Sequence, residues 1–242
     1  MAWKEEYLDV ILVPCGLLIM FGYHLFLLYR CLKLPETTVI GYENHYRKAW
    51  IERILQVEVK ERSPYLTMIS STISAATFFA STSLALSSVI GAWVGSTSNN
   101  ILEGSLIYGS KSPSIISVKY ISILFFFLVA YASFLQCIRS LVHANFLISM
   151  PNSDIPAKYV QKAVIQGSAF WSAGLRAIYF AATLLLWIFG PIPMFVSSVT
   201  MVVILHMLDT NSTPLHHFRP TKSPNLLSKI GVDPINCNQQ GH

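Results

Sequence analysis

Charge is scarce in this 242-residue sequence, where 12% of residues are Asp, Glu, Lys or Arg against 53% hydrophobic. A soluble domain carries about twice that share of charge, so this chain has too few charges to cover a water-facing surface. Cysteine offers no framework either: Cys15, Cys31, Cys137 and Cys237 are scattered without a CxxC pair, which argues against a disulfide fold. The cysteines at 31 and 137 lie near the ends of apolar stretches, where small buried thiols are expected and palmitoylation is the alternative. No P-loop, GxGxxG, GxSxG or HExxH signature is present, so the familiar nucleotide, acyl-transfer and metalloprotease sites are missing and no cofactor is expected. A cleavable leader is not expected either. Glu5, Glu6 and Asp9 stand where a basic flank belongs, and no small-residue cleavage site follows Val10 to Phe21, so this stretch reads as a retained span.

What the chain has instead is long uninterrupted apolar runs. A helix needs about 20 such residues to cross hydrocarbon. The first run is Leu8 to Tyr29, closed by Arg30, Lys33 and Pro35; the second is Tyr65 to Val94; the third is Ile115 to Ile138, with Arg139 just beyond. From Phe170 to Leu208 the chain stays apolar apart from Arg176 and the sequence Gly190-Pro191-Ile192-Pro193. Two prolines beside a glycine break a helix, leaving either one kinked span or a hairpin of two.

Basic residues choose the hairpin. Arg30, Lys33, Arg47, Lys48, Arg53, Lys60 and Arg62 follow the first run, whereas Lys111 alone follows the second. The first loop is therefore expected in the cytoplasm and the N-terminus outside. Arg139, Lys158 and Lys162 after the third run agree, and Arg219, Lys222 and Lys229 lie inside only if the chain crosses twice after Phe170. The expected fold class is all-α, a multi-pass transmembrane bundle over residues 1–210. Its spans are about 8–29, 65–94, 115–138, 170–190 and 192–208, followed by a flexible tail over 211–242. Helical rise from the turn brings Arg176, His206 and Asp209 to the same cytoplasmic level. An Arg176–Asp209 pair would explain a guanidinium so close to hydrocarbon; snorkelling to headgroups is the alternative.

Two cytoplasmic segments read as helical. Over Tyr42 to Arg62 the residues Tyr46, Trp50, Ile54 and Val57 recur at helical spacing among bases, which suits a helix lying on anionic lipid headgroups, with simple packing against the bundle as the alternative. Asp154 can cap another helix, with Pro156 in its first turn and Tyr159, Val160, Ala163 and Val164 following. Lipid orientation accounts for the net charge of +5, so no nucleic acid is needed as a partner.

The second run mixes Thr67, Ser70, Ser71, Thr72, Ser74, Thr77, Ser81, Thr82, Ser83, Ser87 and Ser88 with alanines. Small residues allow close helix approach, so this run is expected at the packing centre of the bundle; a polar path for a solute is the alternative. His24, deep in the first run, reads as a neutral ring bonded to a carbonyl or hydroxyl, with a functional ring as the competing reading. Lys119 is expected to reach outward to the interface. His206 and Asp209 share one helical face, but with His143, His216 and His217 they lack the converging spacing of a metal site, and none is expected.

Several pieces of the sequence resemble a plant family of multi-pass membrane proteins, the domain of unknown function 599 family. They are YLDVILVPCGLL, YHLFLLYR, HYRKAWIERI, SNNILEGSLIYGS, RSLVHANFLISMP and FWSAGLRAIYFAATLLLWIFGPIPMFVSSVTMVVILHMLDTN, which together cover most of residues 7–211. The resemblance implies a helical membrane fold and a plant source, and it transfers no catalytic residue. It concentrates on a candidate polar cluster of His24, His143, Asn145, Arg176, His206 and Asp209. Three functions follow as expectations. The first is a non-enzymatic scaffold or partner-binding bundle, with a protein partner or a homo-oligomer. The second is a small-solute transporter or channel, drawn from the hydroxyl-rich run, His24 and a helix broken at Pro191. The third is a lipid-modifying enzyme, which requires His143, His206 and Asp209 to converge.

Overall fold

The computed structural model describes residues 2–96, 113–150 and 155–214. Within them the chain forms α1 Ala2–Lys33, α2 Val39–Gln56, α3 Ser63–Ser96, α4 Pro113–Ser149, α5 Ala157–Leu186 and α6 Pro191–Asp209. Five segments are long and apolar enough to cross a membrane: Leu8–Lys33, Val59–Trp93, Ser114–Ser149, Ala157–Leu186 and Pro191–Asp209. The all-α bundle, with five helices of membrane length and the last two forming a hairpin, therefore stands. The Asp154 cap, Lys111, His216, His217 and the tail from residue 215 lie outside the described residues.

Element ends differ from the sequence reading where charge and helix termination part company. Arg139 ends an apolar run without ending a helix, because Arg and Gln sustain helical backbone well. At 37 residues α4 is about 55 Å long and must overhang a hydrocarbon layer of about 30 Å. Its last turns carry His143 and Asn145, which the sequence assigned to the segment after the span. The short helix expected after Asp154 is likewise no separate element, since α5 runs unbroken from Ala157 through Phe170 to Leu186.

Helix α2 stops at Gln56, short of the expected Arg62. Val57 turns extended, with φ −79° and ψ 144°, and a 3-10 turn over Val59–Arg62 follows. Arg62 enforces this stop: its guanidinium donates to the carbonyls of Leu55 and Val57 and, across the fold, of Ile148, each at 3.0 Å. Thr38 caps the other end, its hydroxyl accepting from the Gly41 amide at 3.2 Å.

The turn at Gly190 divides its labour between residues. The last turn of α5 tightens through i to i−3 bonds such as Gly190 N–H to Trp187 C=O at 3.1 Å. Gly190 adopts φ 147°, a conformation closed to other residues. Pro191 then opens α6 at its first position, where a missing amide proton costs nothing.

In space the helices run α3, α4, α5, α6, α1, each packed on the next. One apolar core joins α2, α3, α4 and α5 through Ile51, Ile54, Ala76, Phe134, Ile148 and Val160. A second joins α1, α3, α4, α5 and α6 at the other end through Val13, Ile90, Ile123, Leu184 and Met194. The first end carries α2 and the basic loop and is called the basic end below. Helix α3 lies at the rim of this arrangement, packed along α4 with Phe79 reaching Trp171 of α5. That corrects the expectation of a hydroxyl-rich packing centre, which lies instead between α4 and α5. Glycine makes the closeness possible there: a Cβ on Gly174 would stand 2.8 Å from Phe134.

Candidate functional site

Along α1 the residues Asp9, Val13, Gly16, Met20, Tyr23 and Leu27 are all buried. Their alternating spacing of four and three makes them one helical face. Along α5 the residues Arg176, Phe180, Thr183 and Trp187 form a matching stripe. The two faces meet pairwise from end to end. Trp187 donates to Asp9 at 2.8 Å, Thr183 points its hydroxyl at the Met20 sulfur at 3.3 Å, and His24 packs at a tilt against Phe180 at 4.9 Å.

At the basic end this seam closes on a buried ion pair. Arg176 Nη2 donates to Asp209 Oδ1 at 2.7 Å, with the two side chains 17% and 12% exposed. The Tyr23 hydroxyl donates to the other carboxylate oxygen, also at 2.7 Å. Both oxygens of Asp209 are thus engaged, one by charge and one by a phenol, which is how a carboxylate is tolerated beside hydrocarbon. Snorkelling is not the fate of Arg176.

His24 donates from Nδ1 to the Met20 carbonyl at 2.7 Å. The carbonyl accepts only, so this bond assigns the proton to Nδ1 and leaves Nε2 with a lone pair. Nε2 of His24 and Nη1 of Arg176 are buried without a hydrogen-bond partner among the described residues. One nitrogen needs a proton donor and the other an acceptor. Arg176 lies one turn before Phe180 on α5, and the imidazole packs on the Phe180 ring.

The remaining candidates separate. His206 is exposed and meets Tyr23 edge-on at 6.3 Å, beside the ion pair but not bonded to it. His143 lines a groove between α4 and α5 with Gln136, Arg139 and Gln166. Asn145 lies on α4 as well, its side-chain oxygen buried and unpartnered among the described residues. The structure thus joins Tyr23, His24, Arg176 and Asp209, sets His206 at their margin, and leaves His143 and Asn145 elsewhere. The convergence of His143 with His206 and Asp209, on which the enzyme reading depended, is not met. Among the described residues no group of three or more His, Cys, Asp or Glu is arranged to hold a metal.

A backbone latch fixes the carboxylate. Thr38 and Thr210 form an isolated antiparallel bridge, and the Asn211 amide donates to the Thr37 carbonyl at 3.0 Å. Arg30 donates to that same carbonyl at 2.9 Å, and the Asn211 side chain to Glu36 C=O at 3.1 Å. Asn211 therefore belongs to the folded bundle and not to a loose tail.

Sequence reasoning missed a second polar cluster at the opposite end. Asp9 and Lys119 are only 4% and 5% exposed. The Lys119 ammonium lies over the Trp187 ring, 5.4 Å from its centroid, so this lysine turns inward and not to the interface. The signal available was the stripe from Arg176 to Trp187, which continues the face of a recognised charge.

Two motives for the transporter reading also change. The helix break falls between α5 and α6, not within a span. Many of the α3 hydroxyls bond to their own helix, as in Thr72 to Met68 C=O at 3.1 Å and Thr77 to Ile73 C=O at 2.9 Å. No curated protein and no solved structure matches the chain. Five membrane-length helices in an all-α bundle agree with the remaining comparison, a family profile described as "Protein of unknown function, DUF599" that matches residues 11–214, and the chain belongs to that family.

Proposed function

We propose that this protein is a non-enzymatic membrane scaffold that holds a partner helix against the outward face of α3. One observation carries the reading. Ser70, Ser74, Thr77, Ser81, Ala85 and Ser88 are all exposed, and their spacing of three and four makes a single stripe along the helix. Other outward surfaces of the bundle look like lipid contacts: Leu18, Leu25 and Leu32 on α1, and Val118, Ile121 and Phe125 on α4. The α3 stripe itself has no such bulk, although exposed Phe78, Leu84 and Val89 flank it. Small side chains let a second backbone approach closely, and the hydroxyls of Ser74, Thr77 and Ser88, bonded to their own helix carbonyls, bring no unsatisfied donors into the contact. A second copy of α3 offers the same stripe under twofold symmetry and is the simplest partner.

The test is a photoreactive residue at position 77, compared with one at Phe26, which faces outward on α1. In native membranes position 77 should give one recurring protein adduct, at twice the chain mass for a second copy, and Ser81→Leu should abolish it. Lipid adducts alone at both positions would overturn the reading.

A further inference from the structure

Beneath α2 the bundle does not close. A cavity of about 390 Å³ lies between α2 and the basic-end halves of α3, α4 and α5. Its walls include Trp50 from α2, Ile69 and Thr72 from α3, Leu141 from α4, and Val164 and Trp171 from α5. Arg47 and Arg53 complete it from α2.

The cavity is held open by construction. The Thr38–Thr210 bridge pins the start of α2, the Arg62 guanidinium pins its end to α4 through Ile148, and Ile51 and Ile54 are fully buried. Gln161 of α5 adds a bond to the Lys48 carbonyl at 3.0 Å. A helix clamped in this way cannot settle onto the bundle to fill the space under its middle.

We propose that this cavity binds one acyl chain of an anionic phospholipid, with its phosphate against Arg47 and Arg53. Three features select that occupant. The walls are apolar, and the volume lies in the range of ordinary ligand sites, which suits a hydrocarbon tail. The site sits where the polar helix α2 meets the membrane-length helices, so a lipid reaches it sideways from its own layer. The charge beside the tail is positive: Arg47 donates to Ser168 of α5 and pairs with Glu43 at 2.9 Å, while Arg53 lies exposed one and a half turns further along α2. The Arg47–Glu43 pair is solvent-exposed and weak, so a phosphate can take its place and offer oxygens to both arginines. The proposal is independent of the α3 stripe.

The test uses the full-length protein, delipidated in detergent and titrated with phosphatidylglycerol or phosphatidylcholine, with bound lipid counted by native mass spectrometry. The protein should retain a single phosphatidylglycerol under washing that strips phosphatidylcholine. Arg47→Gln with Arg53→Gln should reduce that preference about tenfold while leaving some chain binding. Thr72→Trp should fill the cavity and remove both lipids; if that variant does not fold, Leu141→Phe and the arginine pair decide. Equal retention of the two lipids, or unchanged retention in a folded cavity-filling variant, overturns the proposal. So does displacement of the lipid by inorganic phosphate, which marks a site for the anion alone, or crosslinking of the cavity to residues 215–242, which marks the chain's own tail as occupant.

Discussion

Arg176 and Asp209, 33 residues apart in sequence, meet at 2.7 Å across the hairpin of α5 and α6. Because Asp209 also takes the Tyr23 hydroxyl, the pair ties α1 to both helices. Removing one member leaves the other charge buried. Arg176→Met or Asp209→Leu alone should lower stability by about 3 kcal/mol. The double variant should recover most of that loss, because an apolar pair of similar volume needs no solvation. Tyr23→Phe should cost about 1 kcal/mol. Thermal unfolding in detergent reads all four, and additive single losses would refute the coupling.

Two glycines separate backbone requirement from mere tolerance. Gly190 holds φ 147°, so Gly190→Ala should cost about 1 to 3 kcal/mol through strain in the turn. Gly22 lies mid-helix with nothing within 4 Å of an added Cβ. Gly22→Ala should therefore stabilise by about 0.5 kcal/mol by restricting the unfolded chain. The comparison is a difference in melting temperature, and equal shifts for both variants would contradict it.

The parts of this fold legible in sequence are those where one residue type had one physical consequence. Long apolar runs marked the spans, and counting helical rise from Gly190 brought Arg176 level with Asp209. Facing was harder to read. Helix α1 is apolar almost all round, so nothing in its pattern distinguished the buried row through Met20 and Tyr23 from the lipid-facing row through Leu18 and Leu25. The α3 hydroxyls suggested a packing centre, yet a Ser or Thr can bond to its own i−4 carbonyl and ask nothing of a neighbour. Arg62 counted only as one charge in a basic loop, because the Ile148 carbonyl, from a distant segment, joins the nearby Leu55 and Val57 carbonyls on it only after folding.

Asp9 and Lys119 form the second buried charge cluster, bridged by Trp187 through a hydrogen bond of 2.8 Å and a ring contact of 5.4 Å. A double-mutant cycle on Asp9→Asn and Lys119→Met should show coupling above about 1 kcal/mol, since each charge lowers the cost of burying the other. Trp187→Phe should cost about 1 to 2 kcal/mol by itself, as it withdraws the donor from a buried carboxylate. Additive effects within about 0.5 kcal/mol would mean the two charges do not sense each other.

Five crossings fix the parity of the chain, and parity is open to direct measurement. The basic loop at α2 and the latch at Asn211 lie at one end of the bundle, joined by the Asn211 amide to Thr37 C=O bond of 3.0 Å. Whichever side of the membrane holds the basic residues 30–62 therefore holds residue 211 too, and positive charge favours the cytoplasm. A glycosylation acceptor engineered near Asn236 should stay unmodified, while one near Asn99, between α3 and α4, should be modified. The natural Asn211-Ser212-Thr213 sequence is a poor reporter, because the Asn211 side chain is already bonded to Glu36 and Thr213 and Pro214 follows it. Modification at both engineered sites would require an even number of crossings. It would be incompatible with the Arg176–Asp209 pair, which forms only if α6 returns to the end from which α5 began.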